Sequence, residues 1–161
     1  MKRARRTTRT DGETATSEGK VFVLQFRIWL KDVSPMVWRR VQVPSTTPLH
    51  DFHGVLQVAM GWQGIHLYQF IIHTVRYGSW ETGARSPAIA LADLKLRKRS
   101  RFLYESDLNV PWEHEIRLEE RRPIKPGTRY SACTGGDGNC PQEGLRRAGR
   151  LDVAAGQRLR L

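Results

Sequence analysis

The sequence predicts an α+β fold: a single domain in which an antiparallel sheet carries one main amphipathic helix packed on one face. Three observations predict it. Several segments alternate apolar and polar residues at period two, the pattern of half-buried strands. One segment, Leu49 to Met60, repeats its apolar residues at helical spacing instead. The connections between strands are short, which favours antiparallel neighbours over crossovers. A chain of 161 residues has room for one ordinary hydrophobic core.

The first strand is VFVLQFRIWL, where Phe22, Leu24, Phe26, Ile28 and Leu30 share one face, and Gln25 and Arg27 the other. Asp32 to Pro35 supply turn chemistry, and Val37 to Val43 returns as the second strand of a hairpin. Thr47 is placed as helix N-cap with Pro48 at the first helical position, where the missing N–H costs nothing. Leu49, Phe52, Leu56, Ala59 and Met60 form the apolar stripe, and Gly61 is the expected stop. Leu67 to Tyr77 reads as a third strand, and residues 78–88 as loop. A short helix is expected over Ile89 to Lys95, and a fourth strand over Phe102 to Ser106. Trp112, His114, Ile116 and Leu118 then alternate with Glu113, Glu115, Arg117 and Glu119, a half-buried antiparallel strand. The segment CTGGDGNCPQ, from Cys133, reads as a flexible loop.

Residues 1–19 are polar and charged without periodicity and are expected to be a disordered basic tail, leaving 20–143 as the domain. The formal net charge is +11, but residues 1–20 and 141–161 each contribute +3, so the middle is only mildly basic. No run of eighteen apolar residues exists and no signal-peptide core follows the N-terminus, so the reading is a cytoplasmic protein with no membrane partner. Two cysteines are too few for a secreted disulfide framework.

Few residue patterns here carry chemistry. His50 and His53 flank the helix stripe, and no His-x3-His, His-Glu-x-x-His or Cys-x2-Cys spacing accompanies them. His114 sits on the apolar face of its strand. A carboxylate such as Asp107 or Glu105 beside it would make it a general base; otherwise it is a core residue. Cys133 and Cys140 enclose a loop that lets their sulfurs approach, a weak thiolate metal site for which zinc is the candidate ion. For anion or nucleic-acid binding the candidates are Arg39, Arg40, Arg97, Lys98 and Arg99; the last three lie in a run that also contains Lys95 and Arg101. Neighbouring Arg39 and Arg40 must point to opposite faces of their strand.

The run IWLKDVSPMVWRRVQVPSTTPLHDFHGVLQVAMGWQGIHLYQFII, the block FLYESDLNVPWEHEIRLEE and the Cys-x6-Cys-Pro segment together resemble the plasmid pRiA-type ORF-three-like family over roughly residues 21–143. The resemblance implies a bacterial or archaeal protein borne on plasmids or transposons, and it assigns no activity. A TnpR-like resolvase function does not suit these residues, because Ser34 lies in a proline-containing turn and not behind a nucleophile-bearing first strand. Members carry an acidic Asp-aromatic-Gly-Asp turn where this chain has Asp107-Leu108-Asn109-Val110-Pro111, so a cation site there is weakened. After Glu143 relatives continue Asp-Cys-Gly-Gly-Pro-x-Gly, which includes a third cysteine. With suitable codons, one inserted base after the Glu143 codon converts that motif into Gly144-Leu145-Arg146-Arg147-Ala148-Gly149-Arg150, so residues 144–161 are expected to be an irregular tail of frameshift origin, the alternative being a genuine basic tail. The functional expectation is an accessory protein of a mobile genetic element, a non-catalytic module binding nucleic acid or another protein. The alternatives are a metal-assisted enzyme built on His114, Asp107, Cys133 and Cys140, and a decayed copy.

Overall fold

A computed structural model describes residues 20–143 and the backbone of residues 151–152. The readings of residues 1–19 as a disordered tail and of 144–161 as a frameshifted one lie outside the described residues, apart from that two-residue stretch. Nine strands and one α-helix follow one another as β1 Phe22–Leu30, β2 Val33–Ser34, β3 Trp38–Pro44, α1 Leu49–Met60, β4 Tyr68–Ile72, β5 Val75–Gly78, β6 Arg101–Ser106, β7 Trp112–Pro123, β8 Ala132–Asp137 and β9 Leu151–Asp152. Seven of them make one sheet in the order β5-β4-β6-β7-β1-β3-β8, every adjacent pair antiparallel. β2 and β9 form a short parallel pair beside it.

β1 lies between β7 and β3, so its alternation sets both faces. Leu24, Phe26, Ile28 and Leu30 are buried, and Gln25, Arg27 and Trp29 are half-buried on the other side. β7 repeats the pattern with Trp112, His114, Ile116 and Leu118 inward. Helix α1 covers the inward face: Phe52 packs 5.0 Å from Phe26 and stacks at 5.9 Å on Phe70, ring centre to ring centre. Leu49, Leu56 and Met60 are buried with it, as the stripe requires. Gly61 ends the helix at φ 73, a left-handed conformation that glycine adopts without a Cβ penalty.

Four local expectations are corrected. Pro48, not Thr47, is the N-cap, and no side chain caps the helix. The first free N–H groups, of Leu49 and His50, donate instead to the carbonyls of Ile89 and Pro87, so the 87–89 segment does the work of a cap. The stretch expected as one third strand is a hairpin, β4 and β5, turning at His73 and Thr74 with φ of 49° and 67°. The sequence has no glycine there, and the turn was therefore not legible. The short helix is a single 3-10 turn, Leu91–Leu94. The CTGGDGNC segment contains a strand, β8, at the sheet edge against β3.

Phe26 is fully buried between Phe52 and Phe102. Phe26→Ala is expected to destabilise the fold by about 3–5 kcal/mol, read as a lower urea midpoint with little change in slope. A loss below about 1 kcal/mol would show that the helix does not close on the sheet here.

Candidate functional site

At the end of the sheet where α1 terminates, polar side chains enter the core together. Tyr104 is fully buried on β6, and its hydroxyl accepts a hydrogen bond from Gln57 Nε2 at 2.8 Å and meets His53 Nδ1 at 2.6 Å. Gln57 also donates to Ser106 Oγ and, through Oε1, accepts the Gly64 N–H. The His53 ring stacks on Tyr68 with centres 3.6 Å apart. Burial lowers the His53 pKa to about 4 and pushes the Tyr104 hydroxyl well above its usual range, so both are neutral at pH 7. Gln57 is the residue the stripe pattern misses: a polar side chain on the buried face, satisfied because β6 supplies two hydroxyls.

The expected acid–base group does not assemble. His114 is fully buried, with burial lowering its pKa to about 4, and its Nδ1 donates to the Tyr104 carbonyl. Its Nε2 has no hydrogen-bond partner among the described residues, and neither has the buried Nε1 of Trp112. Asp107 turns away: Oδ1 accepts the N–H groups of Asn109 and Val110, and Oδ2 lies 3.8 Å from His66. Glu105 pairs across the sheet with Glu113 and therefore projects from the opposite face to His114, where it accepts from Gln69. His114 thus has the geometry of a core histidine.

The cysteines are equally separate from the histidines. Cys133 is exposed on edge strand β8, whereas Cys140 is half-buried, its sulfur 3.2 Å from Arg39 and 3.4 Å from Met60 Sδ. Burial raises the Cys140 pKa, with Arg39 acting the other way, so the thiol is not poised as a thiolate ligand. No three His, Cys, Asp or Glu side chains come together in a metal-holding group among the described residues.

Arg39 and Arg40 do point to opposite faces, and each is engaged within the protein. The Arg39 guanidinium donates to the carbonyls of Ala59, Trp38, Asp137 and Gly138 and to Cys140 Sγ. Its five N–H donors are all used. It therefore joins the carbonyl-rich end of α1 to the β8 turn, a favourable place for a cation. A Cβ at Gly136 would stand 2.7 Å from its side chain, so the glycine leaves it room. Arg40 forms a forked ion pair with Glu119, at 2.8 and 3.3 Å, and neither arginine is free for an external anion.

Arg97, Lys98 and Arg99 are different. They are exposed in the turn before β6, and among the described residues no carboxylate pairs with them or with Lys95. Lys95, Arg97, Lys98 and Arg121 line a concavity of about 620 Å³ floored by Leu96 and Leu118, with Glu120 the acidic residue on its wall. Arg121 is held there by a bond to the Leu96 carbonyl. The alternation of β7 in the sequence does not place Arg121, because a register shift between Gln25 and Phe26 sets it, and not Glu120, opposite inward-facing Leu24.

The family model of plasmid pRiA4b ORF-3-like proteins matches residues 22–150. The chain belongs to that family. It is 37% identical over 128 residues to the uncharacterised protein y4hQ of Sinorhizobium fredii, a match covering 75% of this chain and 65% of that relative's length. A crystal structure of a protein of unknown function from Methanosarcina mazei Go1 superposes with a TM-score of 0.70 at 25% identity, covering 86% of this chain and 79% of the other. In this pRiA4b ORF-3-like chain no described helix is long and apolar enough to cross a membrane.

Two outcomes are expected. Arg39→Lys in this pRiA4b ORF-3-like domain keeps the charge but cannot reach five acceptors, so it should cost about 2 kcal/mol and speed amide exchange in β8. Unchanged exchange there would remove Arg39 as the joint. His53 and His114 have folded pKa values of about 4, below the ordinary 6.5. The unfolded chain therefore binds more protons between those values, so stability should be full above pH 6.5 and fall as pH drops towards 4. His114→Gln should flatten that slope, and an unchanged profile would contradict the burial of a neutral imidazole.

Proposed function

We propose that this chain is a cytoplasmic, non-catalytic module of a mobile element that binds the phosphate backbone of nucleic acid through the groove of Lys95, Arg97, Lys98 and Arg121, with exposed Arg99 in the same turn adding its charge. The observation that carries the reading is the contrast between neighbouring cations. Arg40, Arg101 and Arg122 each hold a carboxylate, and Arg39 is spent on backbone, whereas no carboxylate pairs with the cations of the 95–99 turn. Leaving like charges grouped and unpaired costs stability that a polyanionic partner would return. Phosphate contacts of this kind position a protein without reading sequence, and no base-reading element is assigned here.

The test is fluorescence anisotropy of a labelled duplex over a salt series. Four phosphate contacts predict a slope of log K against log salt of about −3 to −4. Replacing Lys95, Arg97, Lys98 and Arg99 together with glutamine should weaken binding at least about tenfold and flatten that slope. Absence of binding by the unaltered chain at about 50 mM salt removes the reading.

A further inference from the structure

The open face of the sheet, opposite α1, carries a second charge pattern. Arg27 lies directly across from Arg40 on β3 and from Arg117 on β7, and Arg117 lies directly across from Arg101 on β6. Four arginines therefore stand side by side on four adjacent strands, about 4.8 Å from strand to strand. All four alternate with inward residues and face outward: Arg27, Arg40 and Arg117 are half-buried and Arg101 is exposed.

The two ends of the row are compensated. Arg40 holds Glu119 and Arg101 holds Glu115 at 3.0 Å. The two central members are not. Arg27 lies over the Trp38 ring at 4.6 Å and lends its field to Glu119, but it forms no ion pair, and neither does Arg117 among the described residues. Like charges directly opposite in a sheet repel. A planar guanidinium in this position is suited to gripping a tetrahedral oxyanion at two oxygens, and two of them side by side can share one.

We infer that Arg27 and Arg117 form a phosphoryl-binding site at the centre of the open face, flanked by Arg40 and Arg101 and distinct from the groove of the 95–99 turn. The site does not depend on the groove reading, because it lies on the other face of the sheet and uses none of the groove's residues.

Thermal unfolding in dilute buffer tests it, with inorganic phosphate as the probe and chloride as the control at matched ionic strength. Without phosphate, Arg117→Gln should raise Tm by about 1–3 °C, since it relieves repulsion. About 10 mM phosphate should raise the Tm of the unaltered chain by clearly more than that of Arg117→Gln, and in the variant with Lys95, Arg97, Lys98 and Arg99 replaced the shift should vanish when Arg117→Gln is added. The variant with Lys95, Arg97, Lys98 and Arg99 replaced should keep the phosphate shift, which separates this site from the groove. Should Arg117→Gln fail to fold, Arg117→Lys serves in its place: it keeps the charge, loses the fork, and should lose most of the shift. A second arm measures a labelled oligothymidylate by anisotropy. Weaker binding by Arg117→Gln identifies a nucleic-acid backbone as the source of the phosphoryl group. Unchanged oligonucleotide binding with the phosphate shift lost identifies a free phosphate compound. No phosphate shift in the unaltered chain, or an equal shift in Arg117→Gln, overturns the site.

Discussion

The register of β1 against its two neighbours governs both faces of the molecule. Because side chains alternate, one choice of pairing places Phe26 under the helix and Arg27 on the open face between Arg40 and Arg117. A slip of one residue would bury the arginine and expose the phenylalanine. The apolar gain from Leu24, Phe26, Ile28 and Leu30 is large enough to hold that register against the repulsion it creates on the other side. The charge row is thus a consequence of core packing, set on the outward side by the same register.

The helix side is closed by a different device. Seven strands leave an edge, β8, with few apolar residues of its own; its Ala132–Asp137 stretch is almost wholly exposed. Packing alone does little to hold it, and Arg39 adds the tie by collecting carbonyls from α1, β3 and the β8 turn. Trp62 adds another through its bond to the Pro141 carbonyl, and Gln63 donates to Glu143. The segment after β8 is therefore held to the helix end by polar bonds, and Cys140 takes part in that joint through Arg39 and Met60, whereas Cys133 stays exposed on β8.

The fold class, the central strands and the helix with its glycine stop were legible because each is a periodic pattern that burial enforces. The β4–β5 turn was not legible, since His73 and Thr74 adopt a left-handed backbone normally marked by glycine or asparagine. Nor was β8, whose glycines read as loop; it pairs with β3 along its backbone, and Arg39 ties the carbonyls of Asp137 and Gly138 at its end. For the site, the sequence indicates which residues carry charge but not which charges meet. Arg39 and Arg40 have the same chemistry as Arg97 in the sequence, and only the fold shows that two of them are already occupied. Likewise the alternation of β7 shows Arg117 facing outward, but its alignment with Arg27 and Arg101 needs the registers of three strands.

The most direct measurement is an NMR titration of the arginine side-chain N–H resonances with an oligonucleotide, which reports every guanidinium in one experiment. Shifts at Arg97, Arg99 and Arg121 in the groove, with Arg39 still, are expected. Movement of Arg39 with Arg97, Arg99 and Arg121 silent would contradict the division between structural and free arginines.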